Sequence, residues 1–235
     1  MINFIYNQKN TFLAISAMVI GVIFIDIHGL IVKYLGGEYS TIQLALFRNT
    51  FAIIPLILLL IYNKESSDLF KNLNKKFILF CFIRGSCFLA INILYYIAIN
   101  NMEFATASTL TFSSTFFIVI LSIFFLGDRV GIYRWSAVII GFVGVVMIMK
   151  PNSIIFSYYS ILPILVAFLW AVQVIVLKFI PDNFTTGKIQ FYSLFSSFLG
   201  SLIFIFFTTG HTYIESNTDF LILSLIGIFG GTAAI

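Results

Sequence analysis

Residues 104–150 read FATASTLTFSSTFFIVILSIFFLGDRVGIYRWSAVIIGFVGVVMIMK, two apolar runs separated only by GDRVG. Each run holds about twenty residues, enough to cross a hydrocarbon core of roughly 30 Å at 1.5 Å per residue. A connection this short makes the two runs antiparallel neighbours. A membrane β-barrel is excluded, because its strands would be about ten residues of alternating character, whereas these runs are about twice that length and apolar on every face.

The same pattern extends in both directions. Eight spans are expected, at residues 11–33, 41–62, 77–99, 104–126, 132–150, 159–180, 187–208 and 219–235. The composition agrees: 60% hydrophobic, 9% charged and a mean hydropathy of +1.07, against about 25% charged in an ordinary soluble domain. The polar connection 63–76 has room for a surface helix. The first apolar stretch, 12–32, is too long for the 7–15-residue core of a signal peptide, so it reads as a retained span. Cys81 and Cys87 lie in one apolar run and read as packing residues, since a disulfide framework or metal site needs more. A net charge of +4 does not point to nucleic acid, because the basic residues sit in the short loops.

Those loops set the orientation. On alternate connections lie Lys9; Lys64, Lys71, Lys75 and Lys76; Arg129 and Arg134; and Lys178 and Lys188. The other side has Lys33 and Lys150, with Glu38, Glu103, Glu215 and Asp219. Positive charge gathers on the cytoplasmic side, so the N-terminus is expected in the cytoplasm and the chain in the inner (plasma) membrane. Tyr34, Tyr62, Tyr133, Trp135, Tyr158 and Tyr213 fall near span ends, as an aromatic belt requires.

An offset of 145, which carries Lys33 onto Lys178, lays the first two spans over the sixth and seventh, with 43–55 over 188–200. A unit of five spans is odd, so its second copy enters the membrane inverted, and inverted repeats place a solute site near the midplane between the halves. The expected fold is therefore all-α and polytopic, an inverted repeat of five transmembrane helices. Residues 1–151 form the first copy and 152–235 a truncated second copy, with about eight helices present. On this reading two further helices are expected after Ile235.

Residues 95–151 carry Tyr96-x-Ala98, Ala105 and Ala107 opening the fourth span, Leu126-Gly127-Asp128-Arg129, Trp135, and Gly141-x-x-Gly144-Val145 ahead of Lys150-Pro151. With Asp26, Lys33, Gln43, Arg48 and Arg84-Gly85 upstream, this resembles the drug/metabolite transporter superfamily, EamA type. The resemblance covers the first repeat well and the second in outline. It implies ten helices, transport rather than catalysis, and a broad range of cargo. Asp128 stands where that family usually has Glu. Thr115 stands where many members have a helix-kinking proline, and Ser113, Ser114 and Thr115 are expected to bend the helix by bonding back to the preceding turn.

Ionisable residues at membrane depth cost about 2.5–3.5 kcal/mol each on insertion scales, so they are candidate functional residues. Asp26 and Arg48 both lie about seven residues from the outer ends of their spans, roughly 10 Å deep at 1.5 Å per residue. Equal depth predicts an Asp26–Arg48 pair, either a structural ion pair or a gate at the outer mouth. Arg84 is similarly deep from the cytoplasmic side and has no acidic counterpart at its level, so it either attracts an anionic or zwitterionic solute or snorkels to the interface. His28 either couples to protons or is a hydrogen-bonded core residue.

Ser108, Thr111 and Thr115 share a helical face at i, i+3 and i+7. They either line a polar cavity or serve close helix contact. Trp170 and Gln173 offer a stacking face and an amide, and Asn92 a second amide. No HExxH, GxSxG, Walker loop or cysteine–histidine cluster is present, so no enzyme, cofactor or metal site is expected. The expected partners are the lipid bilayer and a small organic solute, with no nucleic acid; a homodimer is admitted. The leading reading is a secondary carrier of an amino acid, a nucleoside-like metabolite such as S-adenosylmethionine, or an exported toxic compound. The alternative is a flippase for a lipid-linked substrate, and behind both stands a membrane-embedded enzyme or assembly subunit.

Overall fold

A computed structural model describes residues 2–71, 73–128, 131–149, 158–181, 183–208, 214 and 216–233. Arg129, Lys150, Pro151, His211, Tyr213, Glu215 and the last two residues lie outside this set, as do the side chains of Lys9 and Arg134. The described residues form helices α1 (Ile2–Leu35), α2 (Thr41–Phe51), α3 (Ile53–Tyr62), α4 (Lys75–Asn101), α5 (Phe104–Thr111), α6 (Ser114–Leu126), α7 (Ile132–Met149), α8 (Ile161–Lys178), α9 (Thr186–Thr208) and α10 (Asn217–Thr232). No strand occurs among them.

All eight expected spans fall on helices. Among the described residues, six are long and apolar enough to cross a membrane: Ile15–Leu35, Thr41–Tyr62, Lys75–Asn101, Phe104–Leu126, Tyr158–Lys178 and Thr186–Thr208. The other two lie on α7 and α10, whose described apolar stretches are Trp135–Met147 and Asn217–Thr232. Helix α1 starts well before the expected residue 11, at Ile2. Among the described residues of the connection after Tyr62 there is a 3-10 turn, Ser66–Asp68, instead of a surface helix. Tyr34, Tyr62, Tyr133 and Tyr158 are all exposed near helix ends.

Two spans are broken for readable reasons. The second divides into α2 and α3 at Ala52, because Pro55 has no N–H to offer the carbonyl of Phe51 one turn back. The fourth divides at Phe112-Ser113. There the Thr111 hydroxyl donates to the Ser108 carbonyl at 2.6 Å and Ser113 Oγ to the Leu110 carbonyl at 2.7 Å. The backbone tightens to i→i−3 bonds across the same turn, from Phe112 to Thr109 and from Phe116 to Ser113. Of the expected Ser113, Ser114 and Thr115, it is Ser113 that bonds back to the preceding turn, and its companion is Thr111.

Helix α4 is the hub, packing on α8, α9, α2 and α1, while α10 packs on α2, α1 and α3. The main buried cluster joins α1, α2, α4 and α10 through Val32, Leu35, Leu44, Leu89, Tyr96, Ile99, Leu223 and Ile226. Glycines allow the closest approaches. A Cβ on Gly227 would lie 2.9 Å from Cα of Phe51 and from the Arg48 carbonyl, and one on Gly231 2.7 Å from Cα of Ala52.

At the end expected to be cytoplasmic, buried Lys188 donates to the carbonyls of Asp68 (3.0 Å) and Lys71, and Tyr192 to that of Leu69 (3.2 Å). The rings of Phe77 and Phe184 flank the ammonium at 5.8 and 5.2 Å. The exposed Lys71–Asp68 pair holds the Asp68 carboxyl below its ordinary range but adds little stability where water screens it. Lys188→Met should therefore free the 63–74 connection. The expected result is faster proteolysis there with unchanged helicity; unchanged proteolysis would mean that Lys188 does not hold the loop.

Candidate functional site

Helix α2 opens on Ser40, whose side chain accepts from the Gln43 N–H at 3.2 Å, and carries Arg48 and Asn49 into the middle of the bundle. Arg48 is 4% exposed. Its Nη2 donates to the Gly230 carbonyl on α10 at 3.0 Å, and its Nη1 to Asn49 Oδ1 at 3.3 Å. The guanidinium lies 4.0 Å above the Phe88 ring of α4, and its Nε–H is buried with no partner. Asn49 Nδ2 donates to Ser197 Oγ of α9 at 3.0 Å. A charge-assisted hydrogen bond of about 1.5–3 kcal/mol and a desolvated cation–π contact of about 2 kcal/mol together match the roughly 2.5–3.5 kcal/mol insertion cost of arginine. The protein therefore carries this cation without a carboxylate.

The expected Asp26–Arg48 pair does not form. Asp26 is exposed, and neither Arg48 nor Arg84 has a carboxylate partner among the described residues. The reason is azimuth. The inward stripe of α1 is His28, Val32 and Leu35, and residues two apart on a helix point roughly 200° from each other. Asp26 has the right depth but the opposite face. The Tyr95 hydroxyl on α4 lies 2.9 Å from Ser108 Oγ.

His28 is buried, and its Nε2 lies 2.9 Å from the hydroxyl of fully buried Tyr96. Tyr96→Phe should leave that nitrogen unpaired and cost about 1–3 kcal/mol. The expected reading is a lower unfolding midpoint in detergent; an unchanged midpoint would show the bond to be idle.

Arg84 is half-buried on α4. Its Nη1 donates to Gln190 Oε1 at 2.9 Å and Ser193 Oγ at 3.2 Å, both on α9, and its Nε–H is buried without a partner. Asn92 and Gln173 are buried on α4 and α8, each with an unpartnered amide nitrogen. Trp170, one turn from Gln173, is 40% exposed.

Ser108, Thr111 and Thr115 do not form one continuous face, because the break at Phe112-Ser113 separates the first two from the third. Ser108 meets Tyr95, the Thr111 hydroxyl turns back to the Ser108 carbonyl, and Thr115 is exposed. Thr115 borders an apolar cavity of about 490 Å³ between α6 and α7, lined also by Phe116, Val119, Val138, Gly141 and Phe142.

Sequence reasoning did not single out Asn49, Tyr96, Gln190, Ser193 or Ser197 as site residues. A signal exists in the buried Ser193-x-x-x-Ser197-x-x-x-Ser201 stripe of α9, a small-residue spacing that brings membrane helices together. Among the described residues, no group of three His, Cys, Asp or Glu side chains could hold a metal.

Helices of this length and hydropathy, wrapped around a buried Arg48, a half-buried Arg84 and buried amides, define a multi-pass α-helical membrane protein with a polar interior. The EamA-like transporter family matches residues 12–150, more than half of the chain, and the protein belongs to that family. A riboflavin transporter of Rhizobium johnstonii is 40% identical over 63 residues, 27% of this chain. The matched stretch spans 21% of that relative's own length.

Proposed function

We propose that the chain is a secondary transporter of a small organic metabolite, working by alternating access between two inverted halves, residues 1–151 and 152–235. One observation carries this reading: the offset of 145 relates helix crossings as well as residues. In one crossing Gly85 of α4 lies against the Ser193 carbonyl of α9, and Ser196 Oγ donates to the Phe82 carbonyl at 3.3 Å. Adding 145 to 82 and 85 gives Gly227 and Gly230 of α10; subtracting it from 193 and 196 gives Arg48 and Phe51 of α2. Gly227 indeed lies against Phe51, and Gly230 against Arg48. The α2–α9 contact maps onto itself: Asn49 meets Ser197, while their counterparts Leu194 and Ala52 share a buried cluster.

A pseudo-two-fold of this kind favours alternating access, since the rearrangement that opens one crossing has a counterpart that opens the other. Its loop charges favour a cytoplasmic N-terminus in the plasma membrane. The riboflavin transporter among its relatives makes an aromatic or nucleoside-like heterocycle the first solute to try, with Trp170 as a stacking face and Gln173 beside it. Amino acids and S-adenosylmethionine follow. The apolar α6–α7 cavity favours a second reading, a flippase whose lipid tail would lie in that groove.

The test is uptake into liposomes holding the purified chain. Saturable uptake accelerated by solute preloaded inside supports the carrier. Movement of a lipid-linked probe between leaflets, with no solute uptake, supports the flippase and removes the carrier.

A further inference from the structure

Resting on the transporter reading, we infer that Arg48 and Arg84 are two stations for an anionic group, so that the solute bears a carboxylate or phosphate. Three observations converge. First, both guanidiniums are held at membrane depth by neutral acceptors only: the Gly230 carbonyl and Asn49 for one, Gln190 and Ser193 for the other. The one acidic residue on a described span at comparable depth, Asp26, is turned to another face. The interior therefore carries net positive charge in a low-dielectric setting, which draws anions.

Second, each arginine keeps a buried Nε–H with no acceptor, and Asn92 and Gln173 leave amide nitrogens unpaired as well. Arginine only donates, so this shortage is of acceptors. A carboxylate or phosphate supplies them in the fork geometry that guanidinium prefers.

Third, the two arginines occupy related places. Arg48 is at the α2–α10 crossing, beside Gly230. Arg84 adjoins Gly85 at the α4–α9 crossing, the counterpart of the first under the offset of 145. Loop charges put the first crossing toward the outside and the second toward the cytoplasm. Each arginine thus borrows an acceptor from the helix it crosses, and parting that crossing exposes the cation to an arriving anion. A purely structural latch would gain more from a carboxylate partner; a station needs its acceptor to be replaceable.

The experiment uses the full chain in non-ionic detergent, which removes lipid headgroups as a source of the anion. Benzoate, hexanoate and phenyl phosphate are compared with benzamide, benzyl alcohol and benzylamine through the unfolding midpoint. The anions are expected to raise it by roughly 3–6 °C at ten times their dissociation constants, the neutral and cationic compounds not at all. Arg48→Gln and Arg84→Gln should each reduce the anion shift, and the double variant should abolish it.

Should a glutamine variant fail to fold, the matching lysine variant serves. It keeps the charge and loses the fork, and should weaken anion binding roughly tenfold or more. No anion shift in the wild type, equal shifts from neutral compounds, or an anion shift left undiminished by substitution of either arginine would each overturn the assignment. Saturable uptake of a neutral solute would overturn it too while leaving the transporter standing. Arginine-dependent anion shifts without uptake of any solute would sink the transporter reading instead.

Discussion

Gly227→Leu is expected to leave little folded protein. A Cβ there would already press on Cα of Phe51 and the Arg48 carbonyl at 2.9 Å. Both neighbours are backbone, so no side chain can swing aside, and a leucine adds three more carbons. Overpacking a tight site costs about 1–3 kcal/mol and sometimes more, a large share of a total stability of about 5–15 kcal/mol. The same change at its counterpart crossing, Gly85→Leu, should do comparable harm, since its Cβ would run into the Ser193 carbonyl. Gly144→Leu is the control: nothing lies within 4 Å of a Cβ there, and its effect should stay within about 0.5 kcal/mol. Yield of monodisperse protein and the detergent unfolding midpoint provide the measure. Equal behaviour of all three variants would mean that these crossings are not close-packed.

Arg84→Ala is expected to do the opposite, preserving the fold and abolishing transport. Its hydrogen-bonded partners, Gln190 and Ser193, are neutral, and Ser193 Oγ also donates to the Ile189 carbonyl at 2.8 Å. Removing the cation therefore strands no buried charge and relieves an insertion cost of about 2.5–3.5 kcal/mol. If the guanidinium makes a charged hydrogen bond of about 1.5–3 kcal/mol to the solute, uptake should fall at least about tenfold. Insertion and thermal stability should stay near the wild type. Full uptake by Arg84→Ala would remove this residue from the solute path.

The serine–threonine run 113–115 shows how far local chemistry could be read. Hydroxyls that bond to the preceding turn are a property of a few neighbouring residues, so a bend in the fourth span was foreseeable; the structure has it at Phe112-Ser113, made by Ser113 of that run together with Thr111. The face expected to join Ser108, Thr111 and Thr115 assumed an unbroken helix, and the same bend divides it. Asp26 and Arg48 mark a second limit. Distance from the span ends gave both the same depth, but a pair also needs matching azimuth and adjacent faces. Tyr96 marks a third: in the sequence it is one aromatic among many, and only the packing of α1 on α4 brings it 2.9 Å from His28.

Span number and length followed from the sequence alone, because bilayer thickness imposes a one-dimensional rule on apolar runs. Arg48 and Arg84 were likewise visible as charges within such runs. Which way each arginine turns, and what receives it, belonged to the tertiary structure. Arg48 turns toward Gly230 and Phe88 because missing Cβ atoms at Gly227, Gly230 and Gly231 let α10 close on α2. That closeness arises between segments some 180 residues apart in the chain, where no local periodicity reaches.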